Sequence, residues 1–91
     1  MGTSATEQSH GLRQQVDRWA EAARHGACVE RLEDSGDFYA CVPGATGAWG
    51  SGPTPEEAVE ELESALVDWV LLKLELGADD IPDMGGIRLT P

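Results

Sequence analysis

Basic residues are scarce in this sequence. Six Lys and Arg stand against 17 Asp and Glu, for a formal net charge of -11. Such a surface repels phosphate backbones and anionic lipid headgroups, so neither direct nucleic-acid binding nor membrane association is expected. The same field would speed encounter with a basic protein, and it would equally keep a small protein soluble with no partner at all. Cysteine is rarer still. Cys28 and Cys41 are the only two, without C-x-x-C spacing and with no secretory leader pattern before them, which predicts a reducing, cytoplasmic setting. The two could face each other across a hairpin, and a disulfide or redox pair there is the alternative reading. Free cysteines more commonly act as small core residues, and buried reduced thiols are the expectation here. Long apolar runs are missing as well: "WVLLKLELG" is short and broken by charge, below the roughly 18 residues a membrane helix needs. His10 and His25 have no ligand-spaced Cys, His or carboxylate partners, so neither a metal nor another cofactor is expected.

What remains is enough for one small domain of 91 residues with a modest core, a size at which oligomerisation is a common source of extra stability. Residues 1–11 are small, polar and aperiodic and read as a flexible leader. Residues 12–26 read as an N-terminal helix: Leu12, Val16, Trp19, Ala20 and Ala23 make one apolar face, with Gly26 as the stop. Residues 27–91 form the remainder of the domain. Ala27 to Glu33 and Asp37 to Val42 read as strands joined by the turn-forming "DSGD", with Phe38, Ala40 and Val42 on one side and Tyr39 and Cys41 on the other. A third short strand is centred on Trp49. Gly86 to Leu89 could add a fourth.

"TPEE" then announces a helix, with Thr54 at the N-cap, Pro55 at N1 and Glu57 placed for a capping box. The helix should reach Leu76, with Gly77 beyond its end. Ala58, Val59, Leu62, Ala65, Leu66, Trp69, Val70, Leu72 and Leu76 form one arc for packing on the sheet. Glu56, Glu57, Glu60, Glu61, Glu63, Ser64 and Asp68 lie mainly opposite. Lys73 falls in the apolar arc near the helix end, where its ammonium can reach water and suits the dipole. Val67, Leu71 and Leu74 sit on the otherwise acidic side, and something apolar should cover them: the first helix, a second copy of the chain, or another protein.

The pattern offers no positive case for an enzyme. The glycines before the helix, at 47, 50 and 52, do not make a phosphate loop: Pro53-Thr54-Pro55 follows Gly52, no lysine occurs until Lys73, and Glu56 and Glu57 would repel an anion. Ser51 and Thr54 have no nearby base. Glu30, on a strand, is the single carboxylate of interest for hydrolysis, and it has no visible partner, so a solvated strand face is expected there.

In order along the chain come Glu33-Asp34, Gly36 and Phe38; Pro43-Gly44, Gly47, Trp49 and Gly52; Thr54 and Glu56-Glu57-Ala58; then Leu66, Trp69 to Leu72, Leu74 and Gly77; then Ile81-Pro82. This series, over about Ala27 to Leu89, resembles the HicB-like antitoxin family. The resemblance implies an α+β fold with a three-stranded antiparallel sheet, a possible fourth strand, and one long helix packed on it. That is a partial ribonuclease H-like β-β-β-α core, here with an extra N-terminal helix. It further implies an antitoxin that binds and neutralises a small basic HicA-type RNA-cleaving toxin, and a homodimer or homotetramer; ribonuclease H activity does not carry over. Only Thr90 and Pro91 follow the last expected strand, in place of the DNA-binding module many members carry, and Ala45 and Pro53 depart from the family's usual residues. Glu56, Glu60, Glu61 and Glu63 are then the candidate partner-binding residues, and Val67, Leu71 and Leu74 the candidate apolar contact with the toxin or within an oligomer. The alternative is a stand-alone oligomeric scaffold with no toxin partner.

Overall fold

The computed structural model describes residues 3–89, and for residues 3–10 only the course of the backbone. The element order is α1 (Thr3–His25), β1 (Cys28–Arg31), β2 (Phe38–Cys41), β3 (Trp49–Gly52) and α2 (Pro55–Glu75). The strands form an antiparallel meander, β1-β2-β3. The chain is therefore α+β, with two helices and a three-stranded sheet.

The meander has its local causes in the turns. Gly36, at φ 77°, lets the β1–β2 connection double back, closed by Leu32 N–H to Asp37 O at 2.7 Å and by the Ser35 hydroxyl accepting from Asp37 N–H at 3.3 Å. In the ladder Val29 faces Ala40, which faces Gly50; Arg31 faces Phe38, which faces Gly52. These rows share the face turned to α2. The alternate rows, Cys28–Cys41–Trp49 and Glu30–Tyr39–Ser51, point away from it.

On the inner face the glycines of β3 are a packing requirement. A Cβ on Gly50 would be driven into the backbone amide of Leu62 and the carbonyl oxygen of Ala58, and one on Gly52 would lie 2.9 Å from the Glu57 Cβ. The backbone of α2 thus rests directly on β3. Ala58, Leu62, Leu66 and Val70 form its buried stripe.

α2 begins as expected. Thr54 has extended backbone (φ -129°, ψ 157°) and its hydroxyl accepts from Glu57 N–H at 3.1 Å. The return bond of a full capping box, from Thr54 N–H to the Glu57 carboxylate, is not among the bonds of the described residues. At the other end Gly77, at φ 72°, allows Gly77 N–H to reach Leu74 O and Ala78 N–H to reach Lys73 O, a Schellman closure.

α1 packs on α2 and touches no strand. The molecule is therefore layered sheet, α2, α1, with α2 in the middle. Val16, Trp19, Ala20 and Ala23 are buried as their spacing predicts, whereas Leu12 is exposed. Trp19 and Trp69 stack, with ring centroids 6.2 Å apart and planes 10° apart. Each donates its indole N–H to a loop carbonyl, Trp19 to Pro82 at 2.8 Å and Trp69 to Thr46 at 3.2 Å.

Three expectations change. The stretch 1–11 read as a leader is helical from Thr3 onward, residues 1 and 2 lying outside the described residues. It has no apolar stripe for periodicity to detect, but extending an existing helix needs no new nucleus, and Ala5, Glu7 and Gln8 are good helix formers. The fourth strand does not form among the described residues. Instead Met84 and Ile87 make one isolated pair across a tight turn, with Gly85 and Gly86 both at positive φ. This turn meets α1, since a Cβ on Gly85 would lie 2.7 Å from the Ala22 Cβ; Met84 and Leu89 enter the core there. Leu72 and Leu76, assigned above to the sheet-packing arc, are 55% and 72% exposed. α2 spans about 31 Å at 1.5 Å per residue, whereas a four-residue strand covers only about 13 Å. The last turns of α2 are nevertheless covered on one side, where Leu71 and Leu74 pack against the core, and Leu72 and Leu76 are exposed on the side turned away from it.

Gly50→Ala is expected to destabilise the fold by about 2–3 kcal/mol or to prevent folding, through overpacking against α2. Ser51→Ala, on the opposite face, should be within about 0.5 kcal/mol of the parent. Denaturant unfolding of the two variants checks this; equal stabilities would mean that α2 does not sit on β3 at this distance.

Candidate interaction surfaces

The acidic candidates divide. Glu56, Glu60 and Glu61 lie on the first two turns of α2 and are exposed. Glu56 and Glu57 stand where the helix dipole favours carboxylates, so their repulsion is offset locally. Glu63 is placed differently. It is half-buried, and its carboxylate accepts from the Arg24 guanidinium of α1 at 3.0 Å. It is a tie between the helices before it is a contact for any partner. Nearby, Glu21, Arg24, His25, Pro55, Glu56 and Val59 line an open groove of about 580 Å³ between the end of α1 and the start of α2.

The scarce cations are largely consumed within the chain. Arg13 pairs with Asp17, Arg24 with Glu63, Lys73 with Asp80 and Arg88 with Asp83. The carboxylates of the first turns of α2 are left to dominate the local field.

Lys73 has a second neighbour. Its Nζ sits 5.2 Å over the Trp69 ring while donating to both Asp80 oxygens, at 3.0 and 3.2 Å. That hydrogen bond, with help from the backbone at Asp80 and the ammonium charge, holds the Asp80 carboxyl below its ordinary 3.8.

Val67, Leu71 and Leu74 are half-buried and pack against the buried cluster. Val67 also lines the groove between the helices together with Arg13, Asp17 and Asp68. The most exposed large apolar groups are others: Leu72 and Leu76 near the end of α2, and Trp49 on the outer face of the sheet, 53% exposed. Trp49 stacks on Tyr39 with centroids 5.8 Å apart. Sequence reasoning did not single out this aromatic pair. The signal was available in the alternation of β3: if Gly50 and Gly52 face a closely packed helix backbone, Trp49 must face the other way.

Cys28 is exposed and Cys41 half-buried, in the outer row beside Trp49, which corrects the expectation of buried core thiols. Glu30 is exposed opposite Tyr39. Among the described residues no three His, Cys, Asp or Glu side chains are grouped to hold a metal ion, and no helix is long and apolar enough to cross a membrane.

A family model described as UPF0150-like matches residues 7–82, which takes in most of α1, the three strands and α2. The chain belongs to the UPF0150-like family. Among solved structures, this UPF0150-like chain is similar to the crystal structure of TTHA0281 from Thermus thermophilus. The identity is 29% and the TM-score 0.72, over 85% of this chain and 94% of that one. No curated protein sequence matches it. The family match begins inside α1, so the N-terminal helix lies largely within the matched region.

The lowered Asp80 pKa fixes the sign of a pH effect. The Lys73–Asp80 pair contributes stability above the unfolded carboxylate value, near 3.8, and loses it as the pH falls through the lower folded value. A carboxyl-carbon NMR titration should find Asp80 below 3.8, returning toward it in Lys73→Met. An ordinary Asp80 value in the parent would mean that the pair does not form in solution.

Proposed function

We propose that this UPF0150-like protein is the antitoxin-like half of a toxin–antitoxin pair. Its partner would be a small basic RNA-cleaving protein of the HicA type, bound and masked by surface recognition with no bond-breaking by this chain. The family is related to HicB-like antitoxins, in agreement with the ordered motifs from Glu33 to Pro82. One observation carries the reading: in a chain of net charge -11, Glu56, Glu60 and Glu61 lie exposed together and are in no ion pair among the described residues, four of the six Lys and Arg being paired elsewhere. A basic partner is attracted by such a field, and docking over it hides the positive surface that the partner needs for RNA. Glu63 contributes through its hold on Arg24. The setting is cytoplasmic and the protein a homodimer or homotetramer on this reading.

The test uses the product of the open reading frame neighbouring this one, which this reading expects to be a small basic protein. It should bind the purified chain and lose its RNA cleavage. Glu56→Lys, Glu60→Lys and Glu61→Lys combined should slow association about tenfold or more at low salt, with a smaller effect at high salt. A neighbour that is neither bound nor silenced would end the proposal.

A second reading, an oligomeric scaffold without a toxin, is favoured by the exposure of Leu72 and Leu76. Leu72→Lys with Leu76→Lys should then convert an oligomer to a folded monomer in sedimentation. These positions are better probes than Leu71 and Leu74, whose packing on the core confounds loss of assembly with loss of fold. Unchanged sedimentation would remove Leu72 and Leu76 from consideration as an assembly surface.

A further inference from the structure

Two cysteines in one small chain, both reduced, call for no explanation when they fill the core. Here they do not. Cys28 and Cys41 are direct partners in the β1–β2 ladder, on the face turned away from α2. Directly opposed residues of an antiparallel pair have Cα atoms about 4.5 or 5.5 Å apart, depending on which of the two alternating positions they occupy. Both spacings fall within the range of about 4.4–6.8 Å that a disulfide spans. Side chains of such a pair leave the sheet on the same side, so the two sulfurs need no backbone rearrangement to approach one another. Access is unequal: Cys28 is exposed, whereas Cys41 is half-buried beside the Trp49 indole, its ladder neighbour on β3.

We propose that Cys28 and Cys41 form a reversible dithiol–disulfide site, oxidised by small-molecule disulfides such as glutathione disulfide, with Cys28 as the attacking thiol and Cys41 as the resolving one. The Cys28 thiolate attacks one sulfur of glutathione disulfide. A mixed disulfide forms and one glutathione thiolate leaves. The Cys41 thiolate then attacks the Cys28 sulfur, the Cys28–Cys41 bond forms, and the second glutathione departs. Two protein thiols are oxidised by two electrons and one disulfide is reduced to two thiols, the two thiol protons ending on glutathione. Because the bond lies at the surface, glutathione can reach it for the reverse exchange. The product staples β1 to β2 across their turn, so it restricts the unfolded chain and leaves the sheet register as it is. This site is independent of the proposed partner.

Intact mass of the full chain, after equilibration in glutathione buffers and acid quenching, tests the assignment. The parent should lose about 2 Da as the oxidised fraction rises, without a lasting adduct, and regain it on reduction. Cys41→Ser should instead hold one glutathione on Cys28. Cys28→Ser should be modified several-fold more slowly, because only the half-buried thiol remains. The oxidised parent should unfold at higher denaturant than the reduced one, a difference absent from both variants. A parent that stays reduced while Cys41→Ser takes up glutathione would overturn the proposal. So would a parent that stops at the mixed disulfide or links into disulfide dimers.

Discussion

The contact between the backbone of α2 and the glycines of β3 is the constraint from which the rest of the arrangement follows. Gly50 and Gly52 present no side chain to the helix, so α2 can lie against the strand at backbone distance. Ala58 and Leu62 are buried in that contact. Close approach on one side of β3 forces Trp49 and Ser51 to the other, and the ladder carries their partners Cys41 and Tyr39 with them. The outer face of the sheet is thereby given an aromatic pair and a thiol pair, and the inner face of β3 only glycine. Period-2 geometry leaves no other distribution once the glycines are committed.

α2 is consequently a middle layer, and it must satisfy two neighbours. One side of it meets the sheet and the other meets α1. The Arg24–Glu63 bond and the Trp19–Trp69 stack tie the helices together, and the two indole N–H groups carry the tie on to the loops at Thr46 and Pro82. The buried core is made of small and aliphatic residues with Trp19 as its one large aromatic, and no polar residue is buried among those described. Such a core is thin, and the tryptophans compensate by combining area with hydrogen bonds that a Leu could not make.

The surfaces that result are chemically distinct. Along the start of α2, carboxylates prevail because Arg24 is spent on Glu63. On the far end of α2, Leu72 and Leu76 are exposed on the side turned away from the core. The outer sheet face holds Trp49, Tyr39 and the two thiols. In the proposals above, electrostatic recognition of a basic protein would draw on the first, self-association on the second, and redox chemistry on the third. A UPF0150-like domain of 91 residues is small enough that most of its elements contribute to one of these surfaces as well as to its own core.

Local chemistry determined much of this chain from its residues alone. Thr54 and Pro55 start α2 and Gly77 ends it, the glycine of "DSGD" turns the hairpin, and the spacing from Val16 to Ala23 marks the buried face of α1. These features act over a few residues, through dihedral preference and helical period, and need no distant partner. The acidic excess, too, is a property of composition. Tertiary structure alone decided what each face meets. A helical wheel cannot tell that α2 is covered on two sides, that Leu72 and Leu76 are left exposed while Leu71 and Leu74 pack on the core, or that Glu63 is neutralised by Arg24, thirty-nine residues away. Nor can it tell that the two cysteines are surface neighbours instead of core residues. Burial and pairing depend on the distance at which separate elements pack, and here that distance was set by two glycines whose effect lies in the side chains they lack.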